Sequence, residues 1–164
     1  MTRDPPRVEL STETVVTATW RNLFITEWRA RGSAAEIAAT YQLQQAHIRR
    51  LSTKIATFSV VPGAVIKPLD ADMRRAIDDA VVAIHPHTRA AVLVLPATGF
   101  GSAIVRSVLT SLNFIRRLDF PNKITSTIPL ACTFIAPHIE GNPDPTEVEA
   151  AYGEVLAAPP GKPA

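Results

Sequence analysis

Thr88-Arg89-Ala90-Ala91-Val92-Leu93-Val94-Leu95 is the stretch that decides the fold. It is bounded by Pro86 and Pro96, is the length of a strand, and from Ala90 onward is wholly apolar. Such a run suits a strand covered on both faces, as in a parallel sheet, so it is expected to be the central strand. Upstream, Met73, Ile77, Ala80, Val81 and Ile84 form an apolar helical stripe, with Asp70 or Asp72 as the N-cap and Pro86 as the stop. Downstream, Thr98-Gly99 leads into a further helix with the stripe Ile104, Val108, Leu112 and Ile115, widened by Val105 and Leu109, and Pro121 lies just beyond. Helix, strand, helix around an apolar run is the signature of an α/β layer.

Working outward, Ile55 to Val61 is a β-branched strand closed by Pro62-Gly63, with a loop to Pro68. Before it, Ser33 and Glu36 have the spacing of a capping box. The helix they open is expected to run to about Leu51, with Ile37, Tyr41, Ile48 and Leu51 inward and Gln44, Gln45, Arg49 and Arg50 outward. Thr14 to Trp20 and Leu23 to Trp28 read as two strands joined at Arg21-Asn22, a β-hairpin with Leu23, Ile25 and Glu27 on one face and Phe24, Thr26 and Trp28 on the other. Lys123 to Thr127 is a short strand, and Thr127-Ile128-Pro129 starts a helix that buries Ala131, Phe134 and Ile135. After the break Gly141-Asn142-Pro143-Asp144-Pro145, Thr146 and Glu149 repeat the capping-box spacing, and Val148, Tyr152, Val155 and Leu156 form a stripe by which a tail helix over 146–156 docks on the body. The expected architecture is therefore α/β: a mixed, mostly parallel sheet opened by a β-hairpin and flanked by about four helices. Residues 1–12 are read as a flexible or edge segment, 13–140 as the domain, and 141–164 as an acidic, proline-containing tail whose last residues, from Ala157, are disordered.

At 164 residues, 46% hydrophobic and 20% charged, the chain has the size and composition of one soluble globular domain. No apolar run approaches the roughly 20 residues of a membrane span, and the N-terminal Met1-Thr2-Arg3-Asp4-Pro5-Pro6-Arg7 lacks the apolar core of a secretory signal. One cysteine, Cys132, forms neither an internal disulfide nor a cysteine-based zinc site, which suits a reducing, cytoplasmic setting. The net charge of +2 hides an asymmetry, with residues 1–139 at +6 and residues 140–164 at −4. The arginines are scattered and not interleaved with aromatics, so no nucleic-acid partner is expected, and the acidic tail is expected to fold back on the basic body.

Ala91-Val92-Leu93-Val94-Leu95-Pro96-Ala97-Thr98-Gly99-Phe100-Gly101, followed by an apolar helix, resembles the segment of STAS domains, the anti-sigma-factor antagonist fold, that carries an Asp-Ser-Ser-Gly-Leu-Gly type turn. The resemblance covers about Val15 to Ile139. Thr98-Gly99-Phe100, Ile104 to Thr110, and Phe120-Pro121 before a strand are similar to bacterial STAS-like proteins grouped with the CRAL-TRIO lipid-transfer superfamily. What the resemblance implies is a bacterial regulatory or scaffolding module that binds a protein partner. Its phosphorylatable residue is missing here: Pro96 stands at the position of the acid and Ala97 at that of the hydroxyl. Thr98 follows one position later as an N-cap for the next helix, and a phosphate on Thr98 or Ser102 would meet a helix N-terminus.

Catalytic constellations are weak. Gly99-Phe100-Gly101 has neither the third glycine of a dinucleotide fingerprint nor a Walker lysine. His47, His85, His87 and His138 have no ligand spacing, Asp78 and Asp79 point about 100° apart on a helix, and Cys132 reads as a core residue. Trp20, Trp28 and Tyr41 read as packing residues. The expected function is non-enzymatic, without cofactor or metal, through a surface comprising Thr98, Gly99, Phe100, Ser102 and Arg106, with a protein partner that can include a second copy of the chain. The alternative is a carrier of a small apolar ligand or lipid, held in a pocket between sheet and helices.

Overall fold

A computed structural model describes residues 4–62, 70–96 and 118–161. The elements, in chain order, are β1 (Arg7–Ser11), β2 (Val15–Trp20), β3 (Leu23–Trp28), α1 (Ala34–Leu51), β4 (Ile55–Val60), α2 (Ala71–Ile84), a 3-10 turn (His85–His87), β5 (Thr88–Val94), β6 (Asn122–Thr125), α3 (Ile128–Ile135), a 3-10 turn (Ala136–His138) and α4 (Pro145–Leu156). The strands form one six-stranded sheet in sequential order, antiparallel across β1-β2-β3 and parallel across β3-β4-β5-β6. The molecule is thus α/β, a mixed and mostly parallel sheet opened by a hairpin, with four α-helices among the described residues.

The hairpin closes with Trp20 opposite Leu23. Arg21, at the first position of the two-residue turn, takes a φ of 53°, the left-handed conformation that such turns require there. Arg7–Ser11, within the segment read as flexible or edge, is the edge strand: it pairs antiparallel with β2, and a register shift between Val8 and Leu10 marks a bulge at Glu9. This third antiparallel strand displaces the centre of the sheet. β5, expected in the middle, lies fifth of six between β4 and the short β6, and only one of its faces is fully covered: Thr88, Ala90, Val92 and Val94 are buried while Arg89 is exposed.

The helix ends follow local chemistry. Ser33 and Glu36 form the expected capping box on α1, Asp70 caps α2 by accepting from the Met73 amide at 2.8 Å, and Thr127 caps α3. α4 starts earlier than the Thr146 and Glu149 spacing suggests: Asp144 is the N-cap, Glu147 completes the box, and Pro145 occupies the first turn, where its missing N–H costs nothing.

The two faces of the sheet differ in chemistry. On one, Val16, Ala18, Trp20, Leu23, Ile25, Phe58, Val60, Ala90, Val92 and Val94 pack against Ala131, Cys132 and Ile135 of α3 and Val148, Ala151, Tyr152 and Val155 of α4. The tail helix docks, therefore, but Leu156 points away and is 42% exposed. On the other face, Phe24 and Ile55 meet Ile48 of α1 and Ile84 of α2 in a much smaller apolar cluster. The chain beyond α4, read as disordered from Ala157, is tied down as far as Gly161: the Gly161 amide donates to the Ser11 carbonyl at 2.9 Å, Ser11 Oγ to the Pro159 carbonyl at 2.9 Å, and Arg29 Nη2 to the Ala158 carbonyl at 2.7 Å.

Candidate functional site

Parallel strands converge with their carboxyl ends on one edge, and in open α/β sheets ligands and partners are met there. The ladder continues past the strand ends, with the Val61 amide donating to the Val94 carbonyl at 3.0 Å and the Leu95 amide to the Thr125 carbonyl at 2.9 Å. β5 is thereby held beside β6 up to the point where the chain enters Pro96-Ala97-Thr98. An open groove of about 290 Å³ runs along β6 to the start of α3, lined by Lys123, Ile124, Thr125, Ser126 and Leu130. Thr125 is buried and donates from Oγ1 to the Thr127 carbonyl at 3.2 Å, and Thr127 Oγ1 in turn accepts from the Leu130 amide. These bonds hold the β6–α3 junction in shape. Leu130, in the first turn of α3, is left 52% exposed, and Lys123 Nζ lies 5.8 Å from the centre of the Phe134 ring. The groove therefore offers two large apolar residues, Ile124 and Leu130, with hydroxyls and a cation.

The expected surface residues Thr98, Gly99, Phe100, Ser102 and Arg106 lie outside the described residues. Asp78 and Asp79 are exposed on α2. Cys132 is fully buried among apolar neighbours, and burial, with Glu149 adding to it, pushes its thiol up to about 12, so it stays protonated. His85 stacks on Phe120 with ring centres 5.4 Å apart and faces Asp119 at 3.9 Å, while His138 packs on Phe134 at 5.7 Å. Among the described residues, no three His, Cys, Asp or Glu side chains come close enough to hold a metal, and no helix is long and apolar enough to cross a membrane.

A second polar constellation lies beneath α1. Glu9, at 7% exposure, accepts from Thr19 Oγ1 at 2.9 Å and from Arg50 Nη2 at 3.0 Å. Burial raises the Glu9 carboxyl, but these bonds and the nearby Arg7 outweigh it and hold the group below the usual carboxylate range. Arg50 Nη2 also donates to His47 Nδ1 at 3.1 Å. His47 is pushed down to about 4, chiefly by burial and then by the charge of Arg50, with Glu9 opposing. Gln44, expected to face outward, is 4% exposed and turned inward with Thr40 and His47. The missed signal is their spacing: Thr40, Gln44 and His47 recur at four and three residues, the interval of a buried stripe, but in polar residues.

In comparisons with protein-family models, curated proteins and solved structures, the chain matches none.

Proposed function

We propose that the chain is a non-enzymatic, STAS-like protein-interaction module acting as a regulatory or scaffolding partner in a bacterial cytoplasm, its working surface being the segment from Thr98 to Arg106 together with the groove along β6. The observation that carries this reading is the groove that runs along β6 to the start of α3, with Leu130 exposed on it. Ala97 alone separates Pro96 from Thr98, two steps of chain with a reach of about 7 Å at most. An exposed leucine ringed by hydroxyls and a lysine is the composition of a small contact patch, an apolar centre with a polar rim. Pro96 and Ala97 leave the usual phosphorylation position without an acid or a hydroxyl, so the partner is bound without that switch.

The chemistry of the two sheet faces favours this reading over an apolar-ligand carrier. The face under α3 and α4 is filled by close-packed side chains, Leu23, Ile25, Phe58, Ile135 and Val148 among those fully buried. The face under α1 is lined with threonines, Gln44 and His47, whose polar atoms an apolar guest would leave buried and unpaired at about 1–3 kcal/mol each.

The test is a paired measurement of thermal melts and of affinity for a partner recovered from the native host, on Thr98→Ala, Ser102→Asp and Arg106→Ala. Arg106→Ala is expected to weaken binding and leave the melt unchanged, Thr98→Ala to cost about 1 kcal/mol as a lost cap, and Ser102→Asp to change binding by placing a charge on the contact surface. If all three melt and bind like the parent, this face is not the working surface and the carrier reading replaces it.

A further inference from the structure

The layer between α1 and the sheet carries, beside its small apolar cluster around Phe24 and Ile48, a buried polar stretch. Its floor is made of short hydroxyl side chains, Thr17 and Thr19 on β2, Thr26 on β3 and Thr57 on β4, and its roof of Thr40, Gln44 and His47, all buried. Both ends are tied. Near the start of α1, Thr14 Oγ1 donates to the Glu36 carboxylate, and at the other end Arg50 bridges Glu9, Thr19 and His47. Between these ties, Thr17 Oγ1, Thr40 Oγ1 and His47 Nε2 have no hydrogen-bond partner among the described residues, although each residue is at most 5% exposed. Buried polar atoms in folded proteins are nearly always paired, so three in one layer point to a guest.

The chemistry selects the guest. Arg50 is only a donor, so His47 Nδ1 accepts from it and the proton of the neutral ring sits on Nε2. The orphan on His47 is therefore an N–H that needs an acceptor, and it offers no lone pair to a metal ion. A cation would also meet the Arg50 guanidinium, and an anion would compete with the Glu9 carboxylate already bound to it at 3.0 Å. The two threonine hydroxyls both donate and accept. Small neutral molecules with both capacities satisfy such atoms, and because Thr40 and His47 stand two turns apart on α1, more than one of them is needed. We propose that the seam between α1 and the sheet binds ordered water, held by Thr17, Thr40 and His47. Arg50, 44% exposed in its side chain, stands where the seam meets solvent and gives water its way in. Water with two or more such partners is a structural component and is costly to remove.

Thr17→Val and Thr40→Val keep the shape of the side chain and remove only the hydroxyl, so the sign of their effect decides. With water bound, each variant strips it of a partner and lowers the melting temperature by about 2–4 °C. In a dry seam the same substitutions delete an unpaired polar atom and raise it. Magnetisation transfer from water in the unaltered protein supplies a second reading: long-lived water signals on the Thr17 and Thr40 methyls and the His47 ring are expected. Raised melting temperatures in both variants, or no water signal at these three groups, would overturn the proposal.

Discussion

His47 is held neutral by its surroundings, and the cost of that appears as acid sensitivity. Its ordinary value of 6.5 falls to about 4 in the fold, first through burial and then through Arg50. Between those values the unfolded chain takes up a proton that the folded chain refuses, so stability rises with pH across this window and is lost as pH falls from 6.5 toward 4. The slope from His47 is at most about 1.4 kcal/mol per pH unit. His138, also lowered by burial, acts in the same direction, whereas Glu27, raised by burial, opposes it. Urea midpoints of the parent and of His47→Gln over pH 4–7 separate these groups: the variant is expected to have the shallower dependence, and equal slopes would show that His47 carries no proton linkage. A second residue test concerns the Tyr152 hydroxyl, which donates to the Glu27 carboxylate. Tyr152→Phe leaves that half-buried carboxylate without its donor and is expected to cost about 1–3 kcal/mol in a denaturant titration while raising the Glu27 pKa further. At this scale the sequence was only partly legible. Cys132 read correctly as core because small size and apolar neighbours suffice for that. Gln44 did not, since a polar residue at a buried helical position looks like an outward one until the facing strand is known to present threonines.

Elements were more legible than residues, because caps and stripes are local. Ser33 with Glu36, the Arg21-Asn22 turn and the Thr127 cap all stand where the pattern places them. The start of α4 was misplaced by two residues, since Asp144 outcompetes Thr146 as a cap and Pro145 adds its preset backbone to the first turn. The docking of α4 carries a large share of the stability. Val148, Tyr152 and Val155 are buried against the sheet and α3, and each contributes about 1.5–3 kcal/mol of apolar transfer. Their sum is comparable with the roughly 5–15 kcal/mol that holds a domain together. Truncation after Glu140 is therefore expected to abolish a cooperative thermal transition, whereas Leu156→Ser, on the exposed side, should change stability by no more than about 0.5 kcal/mol. A truncated chain that still melts cooperatively near the parent temperature would mean that α4 is only an appended tail.

For the whole molecule, the α/β class was readable from the sequence of Thr88–Leu95 and the helical stripes on either side, because a strand-length apolar run between two such stripes has few other solutions. The position of that strand was not readable. Sheet order depends on pairings among strands far apart in the chain, and the addition of β1 to the hairpin edge moved the middle of the sheet to β3 and β4. The surface expected over Thr98 to Arg106 lies outside the described residues, and the groove was not legible because it needed β6 and α3 set side by side, Ser126 and Leu130 joining Lys123 around one opening. A protein partner is proposed to meet the molecule through the segment after β5 and the groove along β6. The most direct measurement is the affinity of a partner recovered from the native host for Leu130→Asp, Arg106→Ala and, as a control on α2, which packs on the other face of the sheet from α3, Val82→Asp, each with its thermal melt. Val82 is 77% exposed on α2. Both edge variants are predicted to bind at least about tenfold more weakly, a loss of about 1.4 kcal/mol, with melts like the parent's and with Val82→Asp binding normally. Edge variants that bind as the parent does, or a loss confined to Val82→Asp, would contradict it.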